Sequence, residues 1–222
     1  MPKAFVHLHG QPLLRHALDR VLAVSGVGHV VVVAPAGYLE PARAVVADAS
    51  AAAGMSPAAM SAAVVRTDVV AGGADRSASV SAGLRALAAC DDIVMVHDAA
   101  RALAPARLFE AVAEQIRAGS PAVIPGVPVT DTVKLVDASG RVTSTPPRES
   151  LRAIQTPQGF RREVLEHAHA SGSGATDDAA LVELTGVDVT VIDGDPRAVK
   201  VTSPRDLDLA LTILQEDIHG TR

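Results

Sequence analysis

Several residue types that carry particular functions are scarce in this sequence. Of its 222 residues, one is cysteine, none is tryptophan, and aromatic residues make up 2%. The single cysteine, Cys90, excludes an intrachain disulfide and is typical of a reducing compartment. The few aromatic residues argue against a stacking surface for single-stranded nucleic acid. The formal net charge of −5 predicts no general nucleic-acid-binding face.

Long apolar runs are also missing. No stretch reaches the ~18 apolar residues that a membrane span needs, and the N-terminus shows no signal-peptide pattern. Hydrophobic residues nevertheless make up 48% of the chain, which is enough for a sizeable core. We therefore predict a cytoplasmic protein with one domain over residues 1–222 and with no membrane or nucleic-acid partner.

Short apolar runs alternate with amphipathic stretches along the chain. The strand candidates are residues 30–34, 93–96 and 122–124, and the helix candidates are residues 12–22, 76–88 and 105–117. The segment Ser203-Pro204-Arg205-Asp206 predicts a further helix over residues 207–218, because it supplies an N-cap, a proline at the first helical position and an acid in the first turn. Strands that alternate with helices predict an α/β protein with a doubly wound, mostly parallel sheet.

Residues 131–158 interrupt this alternation. Residues 132–136 and 141–145 flank the turn Asp137-Ala-Ser-Gly140, which predicts a β-hairpin. Pro146-Pro147 then excludes a helix. Because an isolated hairpin is only marginally stable, we expect this arm to pack on another body, and a second subunit is the candidate.

The most informative segment is Val94-Met-Val-His-Asp98-Ala-Ala-Arg101. In open α/β sheets the ligand crevice lies at the carboxyl ends of the strands. An acid at the end of this apolar run can hold a metal ion or a sugar hydroxyl, and Arg101 can hold a phosphate. An ordinary strand end with a helix-capping Asp98 explains the same residues equally well.

Other candidate features have plainer alternatives. Gly72-Gly73 precedes a predicted helix, where backbone N–H groups can approach an anion, but a simple strand-to-helix turn needs the same residues. Lys200 ends a short apolar strand at residues 199–202 and can supply a fixed charge to a phosphate, or it can extend its ammonium group into solvent. His7 and His9 would share one face of a strand, but no Cys or acidic partner completes a zinc site at standard spacing.

Seven short motifs occur in one order along the chain. They are Pro2-Lys3-Ala4-Phe5, Gly72-Gly73-x-x-Arg76-x-x-Ser79-Val80, His97-Asp98-Ala99-Ala100-Arg101, Asp131-Thr132-x-Lys134, Thr156-Pro157-Gln158-x-Phe160, Thr176-Asp177-Asp178-Ala179 and Lys200-Val201-Thr202. This ordered set resembles the 2-C-methyl-D-erythritol 4-phosphate cytidylyltransferases of the non-mevalonate isoprenoid pathway. The resemblance implies a Rossmann-like nucleotidyltransferase that forms a homodimer, with residues 131–158 as the dimerisation arm.

The resemblance also implies a reaction and a set of site residues. CTP and 2-C-methyl-D-erythritol 4-phosphate would give 4-diphosphocytidyl-2-C-methyl-D-erythritol and pyrophosphate, with Mg²⁺ as cofactor. Lys3, Lys200 and Asp98 would be catalytic, and Asp98 is the candidate metal ligand. The residues that would contact CTP are Gly72, Gly73, Arg76, Ser79 and Asp98. The residues that would surround the sugar-alcohol phosphate are Asp98, Ala99, Arg101, Thr132, Arg148, Thr156, Thr176 and Lys200, with Arg148 reaching the partner subunit's site.

The N-terminus departs from the family pattern. The family normally begins with a buried strand and a glycine-rich loop of the form A-A-G-x-G-x-R before the Pro-Lys pair, whereas here Pro2-Lys3 follows Met1. A miscalled start, a truncation and a degenerate protein all fit this difference, and the intact remaining motifs favour the first. Without that strand and loop we expect weak CTP binding, low solubility, or both. Two other functions stay open, a ribitol-5-phosphate cytidylyltransferase and a non-catalytic nucleotide-binding dimer.

Overall fold

The computed structural model describes residues 1–54, 65–88, 91–171 and 175–219, so that Cys90 lies outside the described ranges. The helices are α1 (Leu13–Leu22), α2 (Leu39–Gly54), α3 (Arg76–Ala86), α4 (Ala106–Arg117), α5 (Arg162–Ser171), α6 (Asp178–Leu184) and α7 (Pro204–His219). The strands are β1 (His7–Leu8), β2 (Gln11–Pro12), β3 (His29–Ala34), β4 (Arg66–Ala71), β5 (Ile93–Val96), β6 (Ala122–Pro128), β7 (Leu135–Val136), β8 (Val142–Ser144), β9 (Arg152–Ile154), β10 (Gln158–Arg161) and β11 (Val189–Asp193).

The larger strands form two separate sheets. β3 and β4 pair in parallel. The second sheet has the order β11-β6-β10-β5, with β9 on the other part of β6. β11 and β6 are parallel, whereas β10 is antiparallel to both β5 and β6. The predicted α/β fold is confirmed, and β10 adds an antiparallel strand that the alternation of strands and helices did not predict.

Helices cover both faces of the second sheet. Gly159 of β10 faces Val112 and Ile116 of α4, and the next residue, Phe160, packs in a cluster with Leu165 of α5. Because neighbouring side chains of a strand point to opposite faces, α4 and α5 lie on opposite sides of the sheet. A Cβ atom on Gly159 would lie 2.3 Å from Val112 Cγ1, so only glycine lets α4 approach this closely.

β3 and β5 are neighbouring edges of the two sheets. Leu18 of α1 packs in a cluster with Val32 of β3, and Val21 of the same helix packs in a cluster with Met95 of β5. α3 contacts β3 and also contributes Leu84 to the cluster that contains part of β5. Within the described residues no ladder joins β3 to β5, so each strand keeps one open edge between the same two helices.

Most predicted elements are confirmed, with their ends shifted by a few residues, but two predictions are wrong. Residues 199–202 do not form a strand, because the segment makes a single backbone link from Val201 N–H to Ala100 O, at 2.8 Å. His7 and His9 do not share a strand face, because His9 lies in the β1–β2 turn with a φ of 48°. None of the described helices is long and apolar enough to cross a membrane.

The start of α7 follows the predicted capping pattern. Asp206 Oδ2 accepts hydrogen bonds from the backbone of Thr202 and Ser203, and Ser203 Oγ accepts one from Asp206 N–H at 3.3 Å. These bonds fix the chain directly after Lys200, because they hold the entry into the helix in one conformation.

Candidate active site

Asp98 and Lys200 form an ion pair at the carboxyl end of β5. Lys200 Nζ lies 2.6 Å from Asp98 Oδ2. The backbone carbonyl of Asp98 accepts a hydrogen bond from Arg101 N–H at 2.8 Å, which closes a turn, and the next helix, α4, begins only at Ala106. The interpretation of Asp98 as a helix cap is therefore wrong, since its carboxylate faces a cation brought from the far end of the chain.

The surroundings of this pair favour the ionised form of Asp98. Burial raises the pKa of Asp98, but Lys200 and then Arg76 lower it, and the net result is a pKa below the usual value. The side chain of Asp98 is 24% exposed and that of Lys200 is 46% exposed. An ammonium group has three N–H donors, so Lys200 can hold Asp98 and a ligand oxygen at the same time.

His97 and Thr156 fix the backbone of Asp98. Thr156 Oγ1 accepts a hydrogen bond from Asp98 N–H at 3.0 Å and lies 3.1 Å from His97 Nδ1. The Thr156 hydroxyl thus joins the backbone of Asp98 to the ring of His97. Burial lowers the pKa of His97 from 6.5 to about 4, and the ring packs on Phe109 with the ring centres 4.8 Å apart. Thr156, a predicted substrate contact, is buried and bonded within the protein.

Arg101 holds the segment that carries Lys200 against the turn at Asp98. Its Nη1 donates to Ala198 O at 2.7 Å, and its Nη2 donates to Ile154 O at 3.0 Å. Among the described residues, Arg101 Nε is buried without a hydrogen-bond partner. These contacts explain how Lys200 reaches Asp98, whereas the contact of Arg101 with a substrate phosphate stays a prediction.

The glycine pair has a structural role at the start of α3. Gly72 N–H donates to Ala34 O at 2.9 Å, and Gly73 N–H donates to Ser79 Oγ at 3.1 Å. A Cβ atom on Gly73 would lie 2.3 Å from the Cβ of Ala78. The plainer alternative, a tight turn into a helix, accounts for both glycines, and the two N–H groups are not available as an anion cradle. Contacts of Gly72, Gly73 and Ser79 with CTP through other atoms stay predictions.

Arg76 is joined to a residue to which the sequence assigned no role. Its Nη2 lies 2.5 Å from Oδ2 of Asp178, a carboxylate that is 0% exposed. His169 Nε2 lies 2.9 Å from the other oxygen, Oδ1. Asp178 comes two positions after Thr176, so this ion pair places the start of α6, with the predicted substrate contact, beside the start of α3.

Gln158 anchors the same part of α6 to the sheet. Its Nε2 donates to Asp177 Oδ2 at 2.7 Å, and its Oε1 accepts from Ala179 N–H at 3.3 Å. The side chain is almost fully buried. Gln158 is a functional residue that the sequence did not reveal, because its two partners on α6 are brought to it only by the fold.

The structure therefore brings part of the predicted site together. The central group consists of Asp98, Ala99, Arg101, Thr156 and Lys200. Lys3 is exposed in a short helical turn, and Phe5 at the end of that turn packs in a cluster that Ala99 also touches. Thr132 and Arg148 are exposed on the arm, where Arg148 Nη1 donates to Thr130 O at 3.1 Å. Contacts of these three residues with a substrate stay predictions.

The central group can bind a phosphorylated polyol. Its ammonium group can hold phosphate oxygens, and its ionised carboxylate can accept hydrogen bonds from hydroxyl groups. Within the described ranges, no cluster of three or more His, Cys, Asp or Glu could hold a metal by itself. The paired ammonium and carboxylate groups suit chemistry that depends on positioning and charge neutralisation.

Comparison with known proteins identifies the family. The family model for 2-C-methyl-D-erythritol 4-phosphate cytidylyltransferase matches residues 1–216. The curated protein of that name from Rhodococcus jostii (strain RHA1) is 47% identical over 219 residues, which cover 98% of this chain and 89% of the relative. The protein of the same name from Nocardia farcinica (strain IFM 10152) is 48% identical over 213 residues, covering 96% of this chain and 86% of the relative.

A solved structure agrees with these relatives. The 4-diphosphocytidyl-2C-methyl-D-erythritol synthase from Anaerococcus prevotii DSM 20548 superposes with a TM-score of 0.83 at 26% identity, over 96% of this chain and 90% of that chain. Sequence, fold and the order of the motifs thus point the same way. The chain belongs to the 2-C-methyl-D-erythritol 4-phosphate cytidylyltransferase family.

Proposed function

We propose that this protein transfers a cytidylyl group from CTP to 2-C-methyl-D-erythritol 4-phosphate, giving 4-diphosphocytidyl-2-C-methyl-D-erythritol and pyrophosphate in isoprenoid precursor synthesis. The observation that carries this proposal is the Lys200–Asp98 pair, 2.6 Å apart at the end of β5, in a chain of this family. The pair supplies a cation for phosphate and an anion for hydroxyl groups at one place. It therefore suits an acceptor that carries both.

The reaction needs no covalent intermediate on the protein. A phosphate oxygen of the acceptor attacks the α-phosphorus of CTP in line, and pyrophosphate leaves with the electron pair of the broken bond. The acceptor phosphate is already ionised at neutral pH, so no general base is needed. Catalysis then consists of holding the two substrates in line and neutralising the charge that builds up on the α-phosphate.

Lys200 is the proposed source of that neutralising charge. Its position is fixed by Asp98 and, through the backbone of Ala198, by Arg101. A cation that is already in place stabilises the transition state without reorganisation. We propose that Asp98 also orients hydroxyl groups of the acceptor, and that Lys3, exposed at the N-terminus, contacts the phosphates of CTP.

We propose Mg²⁺ as the cofactor, with Asp98 as the protein carboxylate that holds it. In nucleotide sites Mg²⁺ is commonly bound by one or two carboxylates together with substrate phosphates and water. The partly exposed Asp98, with its lowered pKa, fits that requirement. When bound, Mg²⁺ neutralises charge on the triphosphate.

We also propose a homodimer formed through the arm, and a cytoplasmic location, where nucleoside triphosphates are available. Leu135 is 52% exposed, Val136 57% and Val142 58%, so the hairpin of β7 and β8 has an apolar surface that a second copy of the chain can cover. Arg148, at the base of the arm, would then reach the partner subunit's site.

A pyrophosphate-release assay tests the proposed reaction. The purified chain, and a chain extended at its N-terminus by a strand and loop of the family form, are each mixed with CTP and with either 2-C-methyl-D-erythritol 4-phosphate or ribitol 5-phosphate, separately and in competition. We expect turnover with the first acceptor and little with the second. Faster turnover with ribitol 5-phosphate, or CTP binding without turnover on either acceptor, would contradict the proposal.

A further inference from the structure

Asp178 is a buried carboxylate that lies outside the central group. It is 0% exposed, and both of its oxygens are paired, one with Arg76 at 2.5 Å and the other with His169 at 2.9 Å. Burial alone raises the pKa of Asp178, but the hydrogen bonds from His169 and Arg76 lower it below its usual value. Burying an ionised carboxylate costs solvation free energy. We therefore ask what Asp178 does through its two partners, Arg76 and His169.

Three helices meet at this carboxylate. Arg76 begins α3, Asp178 begins α6, and His169 lies near the end of α5. The other ring nitrogen of His169 lies 3.3 Å from the hydroxyl oxygens of both Ser77 and Ser81 on α3. The network therefore fixes both the direction of the Arg76 side chain and the position of the helix that carries it.

Arg76 is also close enough to the central group to act on it. Its positive charge is one of the causes that lower the pKa of Asp98. The Arg76 side chain is 40% exposed, although its partner is fully buried. A guanidinium group has five N–H donors in a rigid plane, so the bond to Asp178 leaves other donors of the partly exposed Arg76 free to meet a ligand.

We infer that Asp178 is a positioning residue for the transfer reaction, because it aims the exposed donors of Arg76 at the phosphates of CTP bound beside Asp98. This inference rests on the proposed function and adds to it the residue that holds Arg76 in place. The remaining flexibility of a long arginine side chain is removed before the nucleotide binds, which lowers the entropy cost of the contact.

A double-mutant cycle on Arg76 and Asp178 tests the inference. CTP affinity is measured by calorimetry for the wild-type chain, Asp178→Asn, Arg76→Ala and the double variant. Since a hydrogen bond between charged groups contributes roughly 1.5–3 kcal/mol, we expect each single variant to weaken CTP binding by about tenfold or more. The double variant should bind no worse than Arg76→Ala, because Asp178 acts only through Arg76.

The chain offers a control in Asp68, whose side chain is 36% exposed. This carboxylate is also paired with one histidine and one arginine, His29 at 2.9 Å and Arg66 at 2.8 Å, but it lies within β4, before the loop that leads to the site. Asp68→Asn should lower the melting temperature and leave CTP affinity unchanged. If Asp178→Asn also changes only the melting temperature, or if its effect adds to that of Arg76→Ala, the inference is overturned.

Two further outcomes keep the inference separate from the proposed function. A wild-type chain that neither binds CTP nor releases pyrophosphate contradicts the proposed function, and the role of Asp178 fails with it. If Asp178→Asn does not fold, Arg76→Lys replaces it, because lysine keeps the charge beside Asp178 but loses the planar set of donors. Unchanged CTP affinity in both Arg76→Lys and Arg76→Ala then overturns the inference.

Discussion

At the scale of single residues, the role of Lys200 follows from its surroundings in the fold and not from its neighbours in the sequence. In the sequence it is a lysine between two valines, a pattern that fits a solvated side chain as well as a phosphate ligand. In the structure its ammonium group lies 2.6 Å from Asp98, and 46% of the Lys200 side chain is exposed. A lysine held by a carboxylate at the end of a strand is a fixed charge, which favours the catalytic interpretation.

Replacing Lys200 should therefore affect turnover more than binding. We expect Lys200→Ala to lower kcat by on the order of 10²–10³-fold, with a smaller change in CTP affinity, because the charge acts mainly on the transition state. Steady-state kinetics with CTP varied separates the two effects. Arg43→Ala, which removes an exposed cation from α2, is the control and should leave kcat unchanged. An unchanged kcat in Lys200→Ala would identify Lys200 as a structural residue.

His97 gives the stability of the protein a dependence on pH. Burial lowers its pKa from 6.5 to about 4, so between these values the unfolded chain binds a proton that the folded chain does not. The stabilisation is complete above pH 6.5 and is lost as the pH falls toward 4. For a single isolated group this amounts to roughly 2–3 kcal/mol over that range.

The variant His97→Asn should remove this part of the pH dependence, because an asparagine amide can still form a hydrogen bond with Thr156 but does not titrate. Urea unfolding at a series of pH values between about 4 and 7 measures the free energy of unfolding as a function of pH. His167→Asn, which changes an exposed histidine on α5, should keep the wild-type curve. If both variants lose stability at low pH to the same extent, a group other than His97 causes the loss.

At the scale of elements, the arm is a segment on which several exposed apolar side chains lie close together. The hairpin of β7 and β8 is short, and its strands contribute Leu135, Val136 and Val142, all more than half exposed. Asp137 fixes its turn through hydrogen bonds to Ser139 and Arg141. A well-formed turn with exposed apolar strands indicates a docking element rather than a mobile loop.

Deleting residues 133–145 should convert dimers to monomers. The reason is the loss of the apolar surface that we expect a second copy to bury. Sedimentation at micromolar concentration measures the change, and the pair of substitutions Leu135→Ser and Val142→Ser should have the same effect in a milder form. Leu209→Ser, which removes a side chain that is 50% exposed on α7, is the control. A wild-type chain that sediments as a monomer would contradict the proposed dimer.

At the scale of the whole molecule, the division of the sheet between β3 and β5 is the dominant feature. α1 and α3 span both edges, so the helical layers are continuous where the hydrogen-bonded layer is not. Open strand edges expose unpaired backbone groups, which costs stability and leaves the amides free to exchange. A further strand placed between β3 and β5 would pair with both open edges.

We expect that a chain extended at its N-terminus by a strand and a loop of the family form melts at a higher temperature and binds CTP more tightly than residues 1–222. The added strand would pair with the open edges, and the loop would supply N–H groups to the triphosphate. Hydrogen exchange should show new protection of β3 and β5, whereas the amides of β6 should change little. Equal melting temperature, CTP affinity and exchange in both chains would show that the segment is dispensable.

The sequence by itself determined the family, the α/β class and the approximate ends of α1, α3, α4 and α7, whereas it predicted no helix at α2, α5 or α6. These follow from local causes, since hydrophobic periodicity selects helix or strand and capping residues such as Ser203 and Asp206 end or begin elements. The ordered motifs also predicted that Asp98 and Lys200 lie close together, and the structure pairs them. Residues 199–202 were the main local error, because alternating apolar residues fit a strand that no neighbour in the described structure pairs with.

Only the tertiary structure decided which groups face each other. The partner of Lys200 is Asp98, the partner of Arg76 is Asp178, and the N–H of Gly73 is taken by Ser79. Most such pairs join residues that are far apart in the sequence, and their distances are set by how helices and loops pack on the sheet rather than by local propensity. Burial then decides the charge state, as it does for the neutral His97, and burial is a property of the folded chain alone.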